Sequence, residues 1–358
     1  MILMYIHEGN KMNLTDKQKM QQRMALPFED KLQLTKLRIK DWYKHWDGEV
    51  YVAFSGGRDS TVLLHIVRTL FPDVPAVFSD TGLEMPEIRE FVKSIENVVR
   101  VRPKKPFNRV IDEDGFALIS KQTAKKIRVL KEGDTGRNSN MHRLYNTGYT
   151  SDGTYSQRWK IPEKWRGLVD ADVKISEACC DHLKKEPLDT YAKESGRVPF
   201  TGMMISEGGA REKLTQCNAY DSAKPKSSPM LFWNSDDVDE YIKRYSVDIC
   251  DVYYDRLVDT KNGELFSTAK DAEFASLVES LVEKQRFDNI IIFDNGLALV
   301  PAEKRTGCMF CMFGVHMEKG ANRLQRMYYT HPRHWDTCIN KLGLSKPLDL
   351  IDVKYIPE

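Results

Sequence analysis

The chain alternates short apolar runs with stretches in which apolar residues recur every three or four positions. Across residues 13–46, Leu32, Leu34, Leu37, Ile39 and Trp42 are spaced to cover one face, which predicts a helical N-terminal segment whose task is packing. Residues 49–54 form the first continuous strand-like run, and 60–70, with Val62, Leu63, Leu64, Ile66 and Val67, a buried helix. A second strand is expected over 74–79, a second helix over 86–96 with Pro86 in its first turn, and a third strand over 98–101. This order predicts an α/β fold, a parallel twisted sheet with helices on both faces and right-handed crossovers. In such sheets, ligands sit beyond the carboxyl ends of the strands.

Periodicity weakens over residues 132–168, rich in Gly, Asn, Ser, Thr and Tyr, where a long loop or lid is expected. Strands resume near 199–205. Asn234 or Ser235 should cap a helix whose first turn holds Asp236 and Asp237. Residues 258–300 read as an insertion with a hairpin, 289–293 against 297–300, around Asp294-Asn295-Gly296. The expected organisation is an N-terminal helical segment (1–46), a nucleotide-binding domain (47–250), the insertion (251–300) and a cysteine-bearing C-terminal segment (301–358).

With 41% hydrophobic and 30% charged residues among 358, the composition is that of a soluble globular protein of one large or two smaller domains. A net charge of +2 exerts no global pull toward nucleic acid or membrane. No apolar run is long enough to span a bilayer, and Met1-Ile2-Leu3-Met4-Tyr5-Ile6 is too short and uncharged for a signal peptide. Met12 precedes a more conventional start, so the first eleven residues read as a leader. Seven cysteines without a secretory signal point to metal or redox ligands before disulfides, and to the cytoplasm.

The chemistry begins at Ser55-Gly56-Gly57-Arg58-Asp59-Ser60-Thr61, between the first strand and the first core helix. Two glycines let several N–H groups converge on a small anion, and the following helix adds its positive end. No Gly-Lys-Ser/Thr follows, so this is not a Walker loop. A carboxylate in a phosphate turn needs a cation, which makes Asp59 a magnesium ligand or water-holder. Ser55 and Ser60 have hydroxyls for phosphate oxygens or for capping, and Arg58 either reaches a phosphate or is solvated. Asp80-Thr81-Gly82, at the end of the second strand, should face this turn across a nucleotide, with Asp80 on metal or ribose or serving only as a strand-end turn. Lys121 is another group placed to serve the nucleotide. Cys179-Cys180 and Cys308-x-x-Cys311 supply four thiolates, with Cys217 as a substitute. Two intervening residues let both thiolates reach one metal centre, zinc being the alternative to an iron–sulfur cluster. Cys250 and Cys338 lie in apolar contexts that suit packing. Lys121, Lys125, Lys126, Arg128 and Lys131 form one basic cluster, and Arg323, Arg326, Arg333 and His334, interleaved with Tyr328, Tyr329 and Trp335, form another. Both are candidates for a nucleic-acid surface or for a solvated helix face.

Ser-Gly-Gly-x-Asp-Ser resembles the PP-loop of the ATP pyrophosphatase (adenine nucleotide alpha hydrolase-like) superfamily, which cleaves ATP between the α and β phosphates. Asp80-Thr81-Gly82-Leu83-Glu84-Met85-Pro86-Glu87 resembles the second motif of the phosphoadenosine phosphosulfate (PAPS) reductase family. Cys179-Cys180-Asp181-His182-Leu183-Lys184-Lys185-Glu186-Pro187-Leu188 is similar to the Cys-Cys-x-x-x-Lys-x-x-Pro-Leu block of iron–sulfur adenylylsulfate reductases. Residues 202–211 resemble that family's Gly-x-x-x-x-Glu-x-x-x-Arg segment, which singles out Glu207 and Arg211. The resemblance implies a [4Fe–4S] cluster on a Cys-Cys pair and a downstream Cys-x-x-Cys. Two departures matter. Sulfonucleotide reductases carry a degenerate phosphate loop, which is intact here, and use a Glu-Cys-Gly-Leu-His nucleophile that this chain does not show. An intact loop with such a cluster resembles ATP-dependent sulfurtransferases, the DNA phosphorothioation sulfurtransferase among them. That implies adenylation (ATP to AMP plus pyrophosphate) coupled to sulfur transfer, with Asp59 and Arg211 in the catalytic roles. A nucleic-acid acceptor, a sulfur-donor protein such as a cysteine desulfurase, and a homodimer belong to the same expectation. The alternative is an oxidoreductase acting on a sulfonucleotide.

Overall fold

The computed structural model describes residues 15–282 and 289–357; the leader read at the first eleven residues, and Met12, lie outside them. Two helices open the described chain, α1 (Asp16–Met24), capped by Thr15 in a capping box with Gln18, and α2 (Phe28–His45). The expected alternation follows as β1 (Val50–Phe54), α3 (Arg58–Leu70), β2 (Ala76–Ser79), α4 (Pro86–Ser94) and β3 (Val98–Val101). Next come α5 (Phe107–Glu113), β4 (Leu118–Ile119), α6 (Lys121–Glu132), α7 (Ser139–Thr147), α8 (Glu186–Ser195), β5 (Val198–Phe200), β6 (Asn218–Ala219), β7 (Lys226–Ser227) and α9 (Ser235–Tyr245). The remainder holds β8 (Arg256–Asp259), β9 (Leu265–Thr268), α10 (Ala272–Val282), β10 (Ile291–Ile292), β11 (Leu297–Val300), β12 (Met312–Phe313) and α11 (Arg323–Thr330). The main sheet has the order β3-β2-β1-β5-β7-β6, with β1, β5 and β7 parallel and β6 reversed. The fold is the expected α/β arrangement, a parallel sheet flanked by helices.

Contacts group the chain into two compact units, one of Met1–Phe54, Arg58–Val77 and Ala192–Asp248, the other of Ser55–Gly57, Phe78–Tyr191 and Ile249–Glu358. In the first, α3 packs on β1, α2 and α9. The buried stripe of α2 is Leu32, Thr35, Ile39 and Trp42, whereas Leu37 is 52% exposed. Thr35 belongs to the stripe because its hydroxyl accepts from Trp233 Nε1 at 2.9 Å and donates to the Pro229 carbonyl. Lys31 and Asp237 form a buried ion pair at 2.7 Å. Asn234 caps α9, accepting from the Asp237 amide at 2.9 Å.

In the second unit, residues 132–168 depart from the expected loop. Helix α7 occupies 139–147 and ends where Gly148, at φ 87°, donates its amide to Leu144. Arg166 ties this helix to the following turn through Asn146 at 2.6 Å. The expected hairpin is present, with Ile291 opposite Leu299, and joins a four-stranded sheet of order β10-β11-β8-β9. Among the described residues, no helix is long and apolar enough to cross a membrane.

The same unit buries a charged network. Arg326 donates to both oxygens of Glu303, at 3.1 and 2.6 Å, and Arg256 lies between Glu303 (3.5 Å) and Glu87 (3.4 Å). Nε2 of His331 meets Glu87 at 3.0 Å. Glu303 and Arg256 are only 3% and 1% exposed, so removing one partner strands a dry charge. Replacing Arg326 by Met should therefore lower stability by about 3–5 kcal/mol, read from urea unfolding. Burial pushes the Glu87 carboxyl up, but the His331 contact and Arg256 outweigh it and hold it at about 2. A carboxylate held below its unfolded value of about 4.3 stabilises fully above that pH and loses the contribution as pH falls toward 2. The Glu87→Gln variant should lose that part of the acid dependence, leaving a flatter stability profile between about pH 4.3 and 2.

Candidate functional site

Strand β1 delivers the chain into Ser55-Gly56-Gly57. Gly56 has φ 69°, and a Cβ there would lie 2.8 Å from Val92 and 2.9 Å from Ile88 of α4, so both conformation and space demand glycine. The Gly57 amide donates to Ser55 Oγ at 3.3 Å. Against Gly57 stand two hydroxyls that sequence reading missed, Thr306 and Tyr253, 2.8 and 3.1 Å from where a Cβ would be. Nothing local in the sequence marks them, since both come from the last third of the chain. Ser60 and Thr61 are buried in the first turn of α3. The Asp59 carboxylate lies 3.6 Å from Arg58 Nε, and a Cβ on Gly202 would approach the Asp59 carbonyl to 3.3 Å. The Arg58 guanidinium runs to Asp239 at 2.7 Å and Ser235 at 2.6 Å, which tethers it to the start of α9.

Asp80-Thr81-Gly82 follows β2. Asp80 is 4% exposed and holds Arg100 at 2.7 Å, Arg89 at 3.5 Å and Arg102 at 3.9 Å. Three guanidinium groups share this one carboxylate. Thr81 donates its hydroxyl to Glu84 at 2.8 Å and lies 3.9 Å from Cys308 Sγ.

The thiols of Cys179, Cys180, Cys308 and Cys311 act on one another, together with Lys121, Lys184 and Glu84. Cys179 and Cys180 open a helical stretch whose residues Asp181–Lys185 form a π-turn before α8. Such turns are frequent at functional sites. Cys179 donates to Cys180, and with Lys121 and Lys184 this outweighs burial and draws the Cys180 thiol down to about 5. Cys179, the donor, is pushed up, first by that hydrogen bond and then by burial. Burial pushes Cys308 up to about 11 against the pull of Lys184, and raises Cys311 against Arg323. Burial also presses Lys184 toward neutrality, but Cys308, Glu84, Cys180 and Cys311 outweigh it and hold the ammonium charged. Among the described residues, no three Cys, His, Asp or Glu side chains are drawn close enough to hold a single metal ion.

The local fold places these groups. Cys311 leads into β12, whose Met312 and Phe313 pair with Leu118 and Ile119 of β4. Ile119 sits at φ 67°, a conformation that a β-branched residue adopts only under constraint, and it turns the chain into Ser120, which caps α6, and Lys121.

The other expected residues lie elsewhere. Glu207 accepts from the Met204 amide at 3.1 Å and holds Arg211 at 3.3 Å. Cys217 is buried in the first unit, where burial raises its thiol against Arg23 and Arg38. Cys250 and Cys338 are buried. The first basic cluster is largely spent internally: Lys126 donates to the Arg158 and Lys160 carbonyls, Arg128 pairs with Glu177, and Lys131 binds the Val169 carbonyl. In the second, Arg326 is buried and Arg323 grips Glu318, leaving Arg333 and His334 exposed.

The sequence model of the phosphoadenosine phosphosulfate reductase domain matches residues 49–125 and 156–311. The chain belongs to this family. It is 30% identical to the phosphoadenosine 5'-phosphosulfate reductase of Salmonella newport over 239 residues, 65% of this chain and 78% of that protein. It is 26% identical to an uncharacterised protein of Methanocaldococcus jannaschii over 227 residues, 62% of this chain but only 42% of that longer relative. A phosphoadenylyl-sulfate reductase structure from Candida auris aligns with 68% of the chain at 14% identity and a TM-score of 0.35, and the family assignment does not rest on it. Asp80→Asn weakens a clamp of three arginines, so it should lower stability by roughly 2 kcal/mol in urea unfolding.

Proposed function

We propose that this chain is an adenine-nucleotide enzyme of sulfur chemistry, in which ATP is cleaved to AMP and pyrophosphate and sulfur replaces the activated oxygen. The observation that carries the proposal is the gathering of Cys179, Cys180, Cys308 and Cys311 with two lysines in the unit that also holds Ser55-Gly56-Gly57 and Asp80-Thr81-Gly82. Four soft donors with two countercharges fit a [4Fe–4S] cluster. A closed zinc site would need its four sulfurs about 3.8 Å apart around one ion. When bound, the cluster would supply sulfur or electrons. The protein's own groups do the rest. The turn amides and the Ser55 and Ser60 hydroxyls would take the charge that builds on leaving pyrophosphate. Asp59 would hold Mg²⁺ against it. Lys121 and Lys184 would offset the negative charge that the bound sulfur ligands carry.

In the first step the acceptor oxygen attacks the α-phosphorus and the bond to pyrophosphate breaks. In the second, a sulfide-level nucleophile displaces AMP. Family membership favours a second reading, reduction of a sulfonucleotide to sulfite and the free nucleotide by an external dithiol.

Purified without oxygen, the protein should carry iron and acid-labile sulfide at about four each per chain, and Cys180→Ser or Cys311→Ser should lose most of both. One zinc and no sulfide would overturn the cluster. Pyrophosphate release from ATP supports the first reading and sulfite release from a sulfonucleotide the second. The Asp59→Asn variant should cut pyrophosphate release by about a hundredfold or more while retaining its iron; undiminished release would remove the magnesium role.

A further inference from the structure

Three hydroxyls crowd the side of Gly57 where a side chain would be: Thr306 Oγ1, Ser55 Oγ and Tyr253 OH lie 2.8, 3.1 and 3.1 Å from the position a Cβ would take. Tyr253 and Thr306 are themselves joined at 2.6 Å. Each is held on a rigid support. Tyr253 closes a short helical turn after Cys250, with its amide on the Cys250 carbonyl at 3.1 Å. Thr306 lies in a segment pinned on both sides. Upstream, the Glu303 amide donates to Val252 at 2.8 Å while its carboxylate is locked by Arg256 and Arg326. Downstream, the Met309 amide donates to Leu83 at 2.7 Å. Hydroxyls fixed in this way lose little freedom on binding, which favours affinity. Within the Tyr253–Thr306 pair one hydroxyl donates to the other, so the pair can turn at most one O–H toward an anion, and no carboxylate is among the three atoms nearest that side of Gly57.

We infer that Tyr253 and Thr306 form a hydroxyl subsite for the phosphate group held at Ser55-Gly56-Gly57, so that the segment leading to Cys308 contributes directly to nucleotide binding. The ligand class is a di- or triphosphate whose terminal oxygens reach past the turn, pyrophosphate being the smallest member. This rests on reading Ser55–Thr61 as a phosphate turn. Gly57 then has a second reason to lack a side chain, since a methyl group would displace the hydroxyl pair from the position the anion needs.

The test is calorimetric titration of the full-length, cluster-loaded protein with pyrophosphate and with ATP, comparing Tyr253→Phe and Thr306→Val, with thermal melting on the same samples. Each variant should keep its melting temperature within a few degrees and bind pyrophosphate about ten- to a hundredfold more weakly, as expected for a lost hydrogen bond to a charged group. If the unaltered protein binds and both variants bind equally well, the subsite is wrong and the phosphate turn stands. If the unaltered protein binds neither ligand, the phosphate turn is wrong and the subsite falls with it. Weaker binding accompanied by a collapsed melting temperature would assign the two hydroxyls to folding, and would also overturn the subsite.

Discussion

Ionised sulfur in a dry interior is tolerable only beside fixed positive charge. Two unit charges about 4 Å apart attract by roughly 4 kcal/mol at the effective dielectric of a protein site, enough to decide which thiols are thiolates. Here the cations come from two different stretches of chain. Lys184 is carried on the π-turn that follows Cys180, four residues on, so that helix and charge arrive together. Lys121 comes from the start of α6, and its position depends on Ile119 holding a backbone conformation that its own side chain disfavours. Strain of this kind persists where the surroundings over-determine it. The surroundings are the β4–β12 pairing, which sets the residue after Cys311 against Leu118. One short parallel pair thus fixes both a cysteine pair and the lysine that serves the other cysteine pair.

The segment from Glu303 to Cys311 ties several demands to one register. Glu303 must reach Arg256 and Arg326, Thr306 must reach Tyr253, Met309 must meet Leu83, and Cys308 must stand near Thr81. These contacts fall within seven consecutive residues. A slip of one position would break all of them at once. Because Thr81 and Leu83 belong to the turn after β2, and Thr306 also stands against Gly57 in the turn after β1, the thiol segment is positioned from the carboxyl ends of the strands.

Much of this was legible in the sequence where the signal is local. A strand running into Ser-Gly-Gly and a helix is a pattern of neighbouring residues, and Gly56 turns out to need glycine for reasons the pattern implies. Paired cysteines with a following Lys and Pro were equally visible, and four of the five candidate thiols lie within reach of one another's charge. What failed was local reading of long-range facts. Leu37 looked like core because it is apolar, yet the buried stripe includes Thr35, whose hydroxyl has Trp233 as partner far along the chain. Arg58 meets Asp239 and Asp80 meets Arg100, partners that no neighbouring residue announces. The polar composition of 132–168 hid α7, because its stop signal, a left-handed Gly148, outweighs the weak periodicity before it.

The buried network of Glu87, His331, Arg256, Glu303 and Arg326 is a poor way to gain stability, because desolvating five polar groups consumes most of what their attraction returns. Apolar side chains of the same volume would do as well or better. Such packing would also accept the segment before Cys308 in several registers, since dispersion contacts are tolerant of sliding. Paired charges are not: Glu303 shifted by one residue would lose both guanidinium partners and face the interior unpaired. On this argument the network specifies position more than it stabilises. The quantity it fixes is where Thr306 and Cys308 fall relative to the two strand-end turns. That is the placement on which any coupling of phosphate chemistry to sulfur in this protein depends.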